Sequence, residues 1–329
     1  MELNLSRYET ETISHSGLNA FMISPRAFRA YKDGSDFNGS KSMDLGSAIH
    51  AYILEQETFY DTYLLNSGAT PSPMYKKFVE ELVGYDVLSI DQLTQKHYED
   101  AYTTAGFKNP LLPKVIENFV QDKLGLKEYY HFLKSLTPGK IVLSEDDFTK
   151  VLLCTESMSN HKLASRLIIG LPFEESYVEK EILFEYPGFR FKMRAFLDKL
   201  IVDKTKKRVT IIDVKTTSKP VKDFAESFSL YGYHRQMYLY YIATQYWLKE
   251  QGYDPLSFTF EFKIVTLQTT PGYEVAVYTP TPSSLQIAKL AVEENLERLK
   301  WHFDNDLWDY PREYYEGDGS LPLDLIDTI

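Results

Sequence analysis

Apolar and polar positions follow two rhythms along the 329-residue chain, helical spacing first and strand alternation later. Ser14 to Ser24 is a short helical stretch, and Pro25 suits the first turn of a second helix. Tyr31 to Ser42 is rich in Gly, Ser, Asp and Lys and is expected to be a loop. Ser42 is placed to cap a helix over Met43 to Glu55, where Leu45, Ile49, Tyr52 and Ile53 keep helical spacing. A Gly/Pro/Ser loop at Ser67 to Ser72 precedes several helical patterns between Met74 and Ser135. Ser144-Glu145-Asp146-Asp147 resembles a capping box and would open one helix reaching Ile169. From Ser176 the period falls to two. Tyr177 to Tyr186, Arg190 to Asp203 and Arg208 to Lys215 read as strands, with a Pro187-Gly188 turn between the first two. A helix over Tyr231 to Glu250, strands over Ser257 to Leu267 and Glu274 to Thr279, and a long helix from Pro282 to Phe303 follow. This order predicts an α+β core. It is read as one domain over 1–329: N-terminal helices in 1–60, a helical insertion in 74–135, a core in 176–305 and an irregular acidic tail in 306–329.

Composition narrows the class. Hydrophobic residues are 43% and charged residues 25%, the balance of a globular protein. No run approaches the roughly 20 apolar residues of a membrane helix, and the N-terminus lacks the pattern of a secretory signal. The single cysteine, Cys154, excludes an intrachain disulfide framework and a four-cysteine iron–sulfur cluster. It lies in an apolar run and is expected in the core. A cytoplasmic protein is expected. The net charge of −11 disfavours a non-specific coat on nucleic acid, but leaves room for a local basic groove.

The most informative segment runs from Phe196 to Lys215. With Lys204 to Lys207 as a four-residue hairpin loop, Asp203 faces Arg208, Val202 faces Val209, Leu200 faces Ile211 and Asp198 faces Asp213. Strand alternation then places Asp198 and Asp213 on one face, ending an apolar stripe, with Cβ atoms about 4.5–5.5 Å apart. Like charges so placed repel, unless one binds a proton or a cation lies between them. Hard oxygen ligands suit Mg²⁺ or Mn²⁺. Lys215, two residues beyond Asp213, points to the same place and can stabilise charge developing on a phosphate.

These residues resemble the PD-(D/E)XK nuclease superfamily, in which an acid on one strand and an acid-x-Lys on the next bind catalytic metal. Further motifs resemble its RecB-type, exonuclease VIII (RecE-like) branch. They are Ser14-His15-Ser16-Gly17-Leu18 with Ile23-Ser24-Pro25, the Gly46-x-x-x-His50 helix, Asp213-Val214-Lys215-Thr216-Thr217, and Tyr233-x-x-Gln236-x-x-x-Tyr240. The name-giving proline is replaced by Leu197. The resemblance implies a restriction-endonuclease-like core, a central mixed sheet with an antiparallel carboxylate hairpin flanked by helices. It makes Lys215, Asp213 and Asp198 catalytic, and assigns metal to His50, Asp198, Asp213 and the carbonyl of Val214. It assigns DNA contacts to Gln236, Tyr240, Thr216, Thr217 and Ser218. Tyr233 shares the helix face of Gln236. The superfamily's first-strand acid is not clearly placed; Glu179 and Glu181 are the candidates. The lysines of the hairpin loop sit at the opposite end from Asp213 and read as a solvated turn.

The implied activity is a Mg²⁺-dependent exodeoxyribonuclease that resects double-stranded DNA ends 5′ to 3′ for phage-type recombination. A single-strand annealing protein would be its partner and a ring-shaped homo-oligomer its assembly. The alternatives are an endonuclease on the same fold and a non-enzymatic DNA-binding protein. A CRISPR-adaptation or helicase-linked nuclease is disfavoured by the single cysteine and by the lack of a phosphate-binding loop.

Overall fold

The computed structural model describes residues 12–35, 41–66, 68–69, 71–108, 111–136, 139–189 and 191–320, with backbone alone at 41–43. Part of the expected loop before Ser42 and the end of the acidic tail lie outside them. Contacts divide the chain into two compact units, Met1–Leu54 with Cys154–Ile329, and Glu55–Leu153.

The strands of the described residues, in chain order, are β1 (Thr12–Ile13), β2 (Tyr63–Leu65), β3 (Ile141–Leu143), β4 (Glu175–Glu185), β5 (Lys192–Asp203), β6 (Arg208–Thr217), β7 (Thr259–Gln268) and β8 (Val275–Tyr278). The first unit is built on a mixed sheet of order β1-β5-β6-β7-β8, with β4 on the other edge of β5. β4, β5 and β6 run antiparallel in sequence, β7 lies parallel to β6, and β8 closes back on β7. The hairpin register is the one expected, from Asp203 opposite Arg208 to Lys199 opposite Ile212.

Apolar alternation explains why these segments are strands. Leu200, Val202, Val209 and Ile211 are buried on the stripe that leads to Asp198. The helix Tyr233–Glu250 rests on β4, β5 and β6, and Met237, Ala243 and Leu248 enter the same core. A long helix, Pro282–Asn305, lies against it and contributes Val292, Leu296 and Leu299. The helix Lys41–Leu54 packs on β6. The second unit has its own core of Phe78, Leu82, Ala101, Phe119, Leu126 and Tyr130 among short helices, and β2 and β3 form a parallel pair within it.

Several expectations are corrected. The helix carrying His50 begins at Lys41, so Ser42 is inside its first turn and is not its cap. Ser144 does cap a helix, accepting from the Asp147 N–H at 3.1 Å, but that helix ends at Asn160. His161 breaks it and caps the next, Lys162–Ile169, through Nδ1 accepting from the Ala164 N–H at 3.1 Å. The helix expected from Tyr231 starts at Tyr233 and reaches Glu250 unbroken; an unexpected short helix, Phe224–Leu230, precedes it, and Gly232, at φ 66°, allows the turn between them. The tail holds a short helix, Arg312–Glu316, as well as irregular chain.

Candidate metal centre

Three strands and two helices deliver the candidate residues to one place. Asp198 comes from β5, Asp213 and Lys215 from β6, Glu179 from β4, His50 from the helix Lys41–Leu54, and Tyr233, Gln236 and Tyr240 from the helix Tyr233–Glu250. Gly46 sets the approach of the His50 helix. A Cβ there would lie 2.9 Å from Thr216 Oγ1, closer than side chains tolerate, so the missing side chain lets this helix sit against the end of β6. His50 is one turn further along the same face.

The β5–β6 ladder stops one pair short of the aspartates. Instead of facing Asp213 across a continued ladder, Asp198 turns its carboxylate onto β6, where Oδ2 accepts the Val214 N–H at 2.6 Å. On the other side of β5, Val178 pairs with Lys199 and Lys180 with Leu197, which leaves Glu179 opposite Asp198. Glu179 takes φ 46°, the left-handed region that ordinary side chains rarely adopt. His50 lies against both acids, with Nε2 2.8 Å from Asp198 Oδ2 and Nδ1 3.2 Å from Glu179 Oε1. The ligand atoms of His50, Glu179 and Asp198 all fall within 4.8 Å of one another. Glu181, the other candidate acid, is outside this group and pairs with Arg194 at 2.6 Å.

Asp213 is fully buried, and its Oδ2 lies 2.6 Å from Lys215 Nζ. Apart from the Lys215 and His50 ion pairs, the Asp213 oxygens and Glu179 Oε1 receive no further hydrogen bond. Lys215 sits over the Tyr233 ring, 4.9 Å from its centroid. Gln236 donates to the Tyr240 hydroxyl at 2.7 Å, so the two form one unit on the helix face. Among the hydroxyls after the active strand, Thr216 abuts Gly46 and Thr217 Oγ1 accepts from the Lys219 N–H at 3.1 Å. The Ser218 carbonyl accepts from Thr270 Oγ1 at 3.2 Å. At the far end of the hairpin Lys204 pairs with Glu175 at 2.5 Å. Cys154 is buried, with Sγ 3.5 Å from the Gln268 carbonyl.

The electrostatics follow from burial and opposed charge. Burial works against a charged His50 ring, but the charge and hydrogen bond of Asp198, then those of Glu179, raise its pKa to about 10. Burial pushes the Asp213 carboxyl up to about 7; Lys215 opposes this and the Asp198 charge adds to it. Burial also opposes the Lys215 charge, yet Asp213 and Asp198 hold its pKa above the ordinary lysine value. Hard carboxylate oxygens beside an imidazole nitrogen, with Asp213 Oδ1 left without a donor, are the donor set of a divalent cation, and these residues fit one.

One contributor, His15, belongs to the N-terminal Ser14-His15 motif, but no spacing in the sequence gives it a partner. His15 Nε2 lies 3.1 Å from the Gly232 carbonyl, Asn19 donates to the Tyr231 carbonyl at 3.0 Å, and Arg235 donates to Asn19 Oδ1 at 3.0 Å. Together they clamp the turn that aims Tyr233 at Lys215. Burial first, then the nearby Lys215, Arg235 and His234 charges, lower the His15 pKa to about 3, against a hydrogen bond that raises it. A histidine held neutral in the fold takes up a proton on unfolding, so its stability contribution is present above about pH 6.5 and is lost as pH falls from there towards 3. His15→Gln is expected to flatten the acid side of a Tm-against-pH curve over that window; an unchanged slope would remove His15 from the account.

No curated protein matches the chain. Among solved structures, one is titled "Putative exonuclease" from Eubacterium rectale. It is 12% identical, with a TM-score of 0.46, over 99% of this chain and 97% of that one. Another, titled SSO0001, is 16% identical with a TM-score of 0.27, over 68% of this chain and 84% of that one. The family described as a PDDEXK-like domain of unknown function (DUF3799) matches residues 14–311. That span takes in the His50 helix, the hairpin and the Gln236 helix, and the chain therefore belongs to this PDDEXK-like family.

Proposed function

We propose that the protein is a divalent-metal-dependent nuclease that degrades DNA from duplex ends. The observation that carries this reading is the His50–Glu179–Asp198 group beside the buried Asp213–Lys215 pair. His50, Asp198 and Asp213 would hold Mg²⁺, or Mn²⁺ in its place, with Glu179 and the Val214 carbonyl completing the donors. Such an ion supplies positive charge against the phosphate and makes water a stronger acid.

The protein's own groups do the rest. Lys215, kept charged by two aspartates, directs an ammonium at the oxygens where negative charge grows. Tyr233 beneath it and Asp213 beside it fix that ammonium in place. Gln236, Tyr240 and the hydroxyls of Thr216, Thr217 and Ser218 contact the strand near the scissile phosphate, positioning it without reading its sequence. The resemblance to RecE-like exonucleases supports 5′ to 3′ resection, delivery of the 3′ strand to an annealing protein, and a ring of subunits around DNA.

The test is digestion of linear duplex labelled at either the 5′ or the 3′ terminus, alongside closed circular plasmid, with Mg²⁺, Mn²⁺ or EDTA. The expected result is early release of 5′ label alone, intact circles, and no reaction in EDTA. Cutting of circles would replace the exonuclease with an endonuclease, and an inert protein with either metal would remove the nuclease reading.

A further inference from the structure

From Lys199 to Asp203, β5 is buried on both faces. Beyond Asp198, towards Lys192, burial alternates. Leu197, Ala195 and Met193 point into the core, while Phe196, Arg194 and Lys192 are exposed. Phe196 and Arg194 lie two and four residues along β5 from Asp198, a step of about 6–7 Å each, and because Leu200 and Val202 join the same core as Leu197, Ala195 and Met193, alternation is interrupted at Asp198, opposite the positive-φ Glu179. On β4 Glu181 stands opposite Phe196 and Leu183 opposite Arg194, so these four side chains share one face away from the core.

This strip has the chemistry of a single-strand binding surface. Phe196 is 40% exposed and Leu183 54% exposed, large apolar groups left open to water. The Arg194 guanidinium lies 4.6 Å from the Phe196 ring centroid. Its Nε is held by Glu181 at 2.6 Å, with both side chains more than two-fifths exposed. An exposed ion pair of this kind contributes little, so the guanidinium can turn to a phosphate at small cost. Arg194 also borders a cavity of about 470 Å³ lined by Lys32, Tyr31 and Ser14. The strip therefore runs from the acidic metal centre, past an aromatic ring, to a basic recess.

We propose that this strip is a track for one unpaired nucleic-acid strand, with a base stacked on Phe196 and an adjoining phosphate taken by Arg194. Aromatic rings beside basic groups hold single strands in this way whatever the sequence. Adjacency to Asp198 along β5 makes the occupant the strand that enters or leaves the metal centre rather than an unrelated partner. The inference rests on the nuclease reading for its purpose, and on the strip for its substance.

The probe is a single-stranded oligonucleotide carrying 2-aminopurine, bound in Ca²⁺ to limit cleavage. Wild type is expected to bind it and quench the fluorophore, the signature of stacking. Phe196→Ala should weaken binding roughly tenfold and abolish quenching, and Phe196→Trp should restore both. Arg194→Ala should weaken binding and reduce its salt dependence. Hydrolysis of bis(p-nitrophenyl) phosphate, which has no base to stack, should be unchanged in Phe196→Ala. Full affinity and quenching in Phe196→Ala would overturn the track. So would parallel loss of the small-substrate reaction, which would make Phe196 a support for Asp198. If wild type binds and quenches but cleaves nothing, the track stands and the nuclease reading fails.

Discussion

Lys215→Ala is expected to lower DNA cleavage by about 10²–10³-fold, the usual cost of deleting one charge-stabilising donor from an active site. The same change has a second effect. Asp213 is fully buried and has no donor apart from the Lys215 ion pair. Breaking a buried pair by removing one member typically costs about 3–5 kcal/mol, but a carboxyl can escape part of this by taking a proton. Burial already pushes the Asp213 pKa up to about 7 while Lys215 opposes it, so the variant's carboxyl moves higher still. A carboxyl whose folded pKa exceeds its unfolded one favours the fold at low pH and loses that advantage as pH rises. Lys215→Ala should therefore show its largest Tm deficit above pH 7 and a smaller one near pH 5. Thermal denaturation across pH, beside a cleavage assay, measures both effects. An equal deficit at all pH values would mean that Asp213 does not depend on Lys215.

Asp198→Ala is expected to abolish divalent-ion binding and to reduce cleavage by about 10³-fold or more, since the charge stabilisation a metal supplies amounts to several kcal/mol. Asp198 joins three things at once. It lies 2.8 Å from His50 Nε2, it accepts the Val214 N–H at 2.6 Å, and it stands opposite Glu179. Its removal leaves a buried N–H without an acceptor, a loss of about 1–3 kcal/mol. It also removes the largest influence that raises the His50 pKa, so the ring falls from about 10 towards or below the ordinary histidine value. Asp198→Asn keeps a carbonyl oxygen for Val214 and should retain more stability than Asp198→Ala, with little more metal affinity. Calorimetric titration with Mn²⁺ and NMR titration of the His50 ring read the two consequences. A ring still charged at pH 8 in Asp198→Ala would show that Glu179 alone holds it.

Both variants bear on residues that were legible before any coordinates. The four-residue loop Lys204 to Lys207 defined the register, and the ladder follows it from Asp203–Arg208 to Lys199–Ile212. Opposed charge at one end and matched apolar pairs behind it leave little freedom, because a one-residue slip would turn the apolar stripe outward. The His50 helix was legible in the same way, from apolar spacing and from the glycine one turn before the histidine. The split of Glu145–Asn160 from Lys162–Ile169 was not, because apolar periodicity continues through His161 while its ring accepts the Ala164 N–H at the start of the next helix.

Alternation along β4 could not separate Glu179 from Glu181, since both lie on one face. Pairing with β5 decides it, by setting Glu179 across from Asp198 and Glu181 across from Phe196. The positive φ of Glu179 is likewise a property of the assembled sheet. His15 stands 217 positions from the carbonyl it contacts, and no local pattern announces such a pairing.

Taken alone, the order of amino acids determined the core strands β4 to β8, the helix that carries His50 and the one that carries Gln236, the hairpin, and the pair of acids with their lysine. These depend on periodicity and on charge within some twenty neighbouring positions. Tertiary structure decided which acid joins His50, that Asp198 bonds Val214 instead of continuing the ladder, and which part of the sheet stays open beside the metal centre. Those outcomes depend on groups distant along the chain competing for the same buried space, where each charge must find a partner or give up its charge.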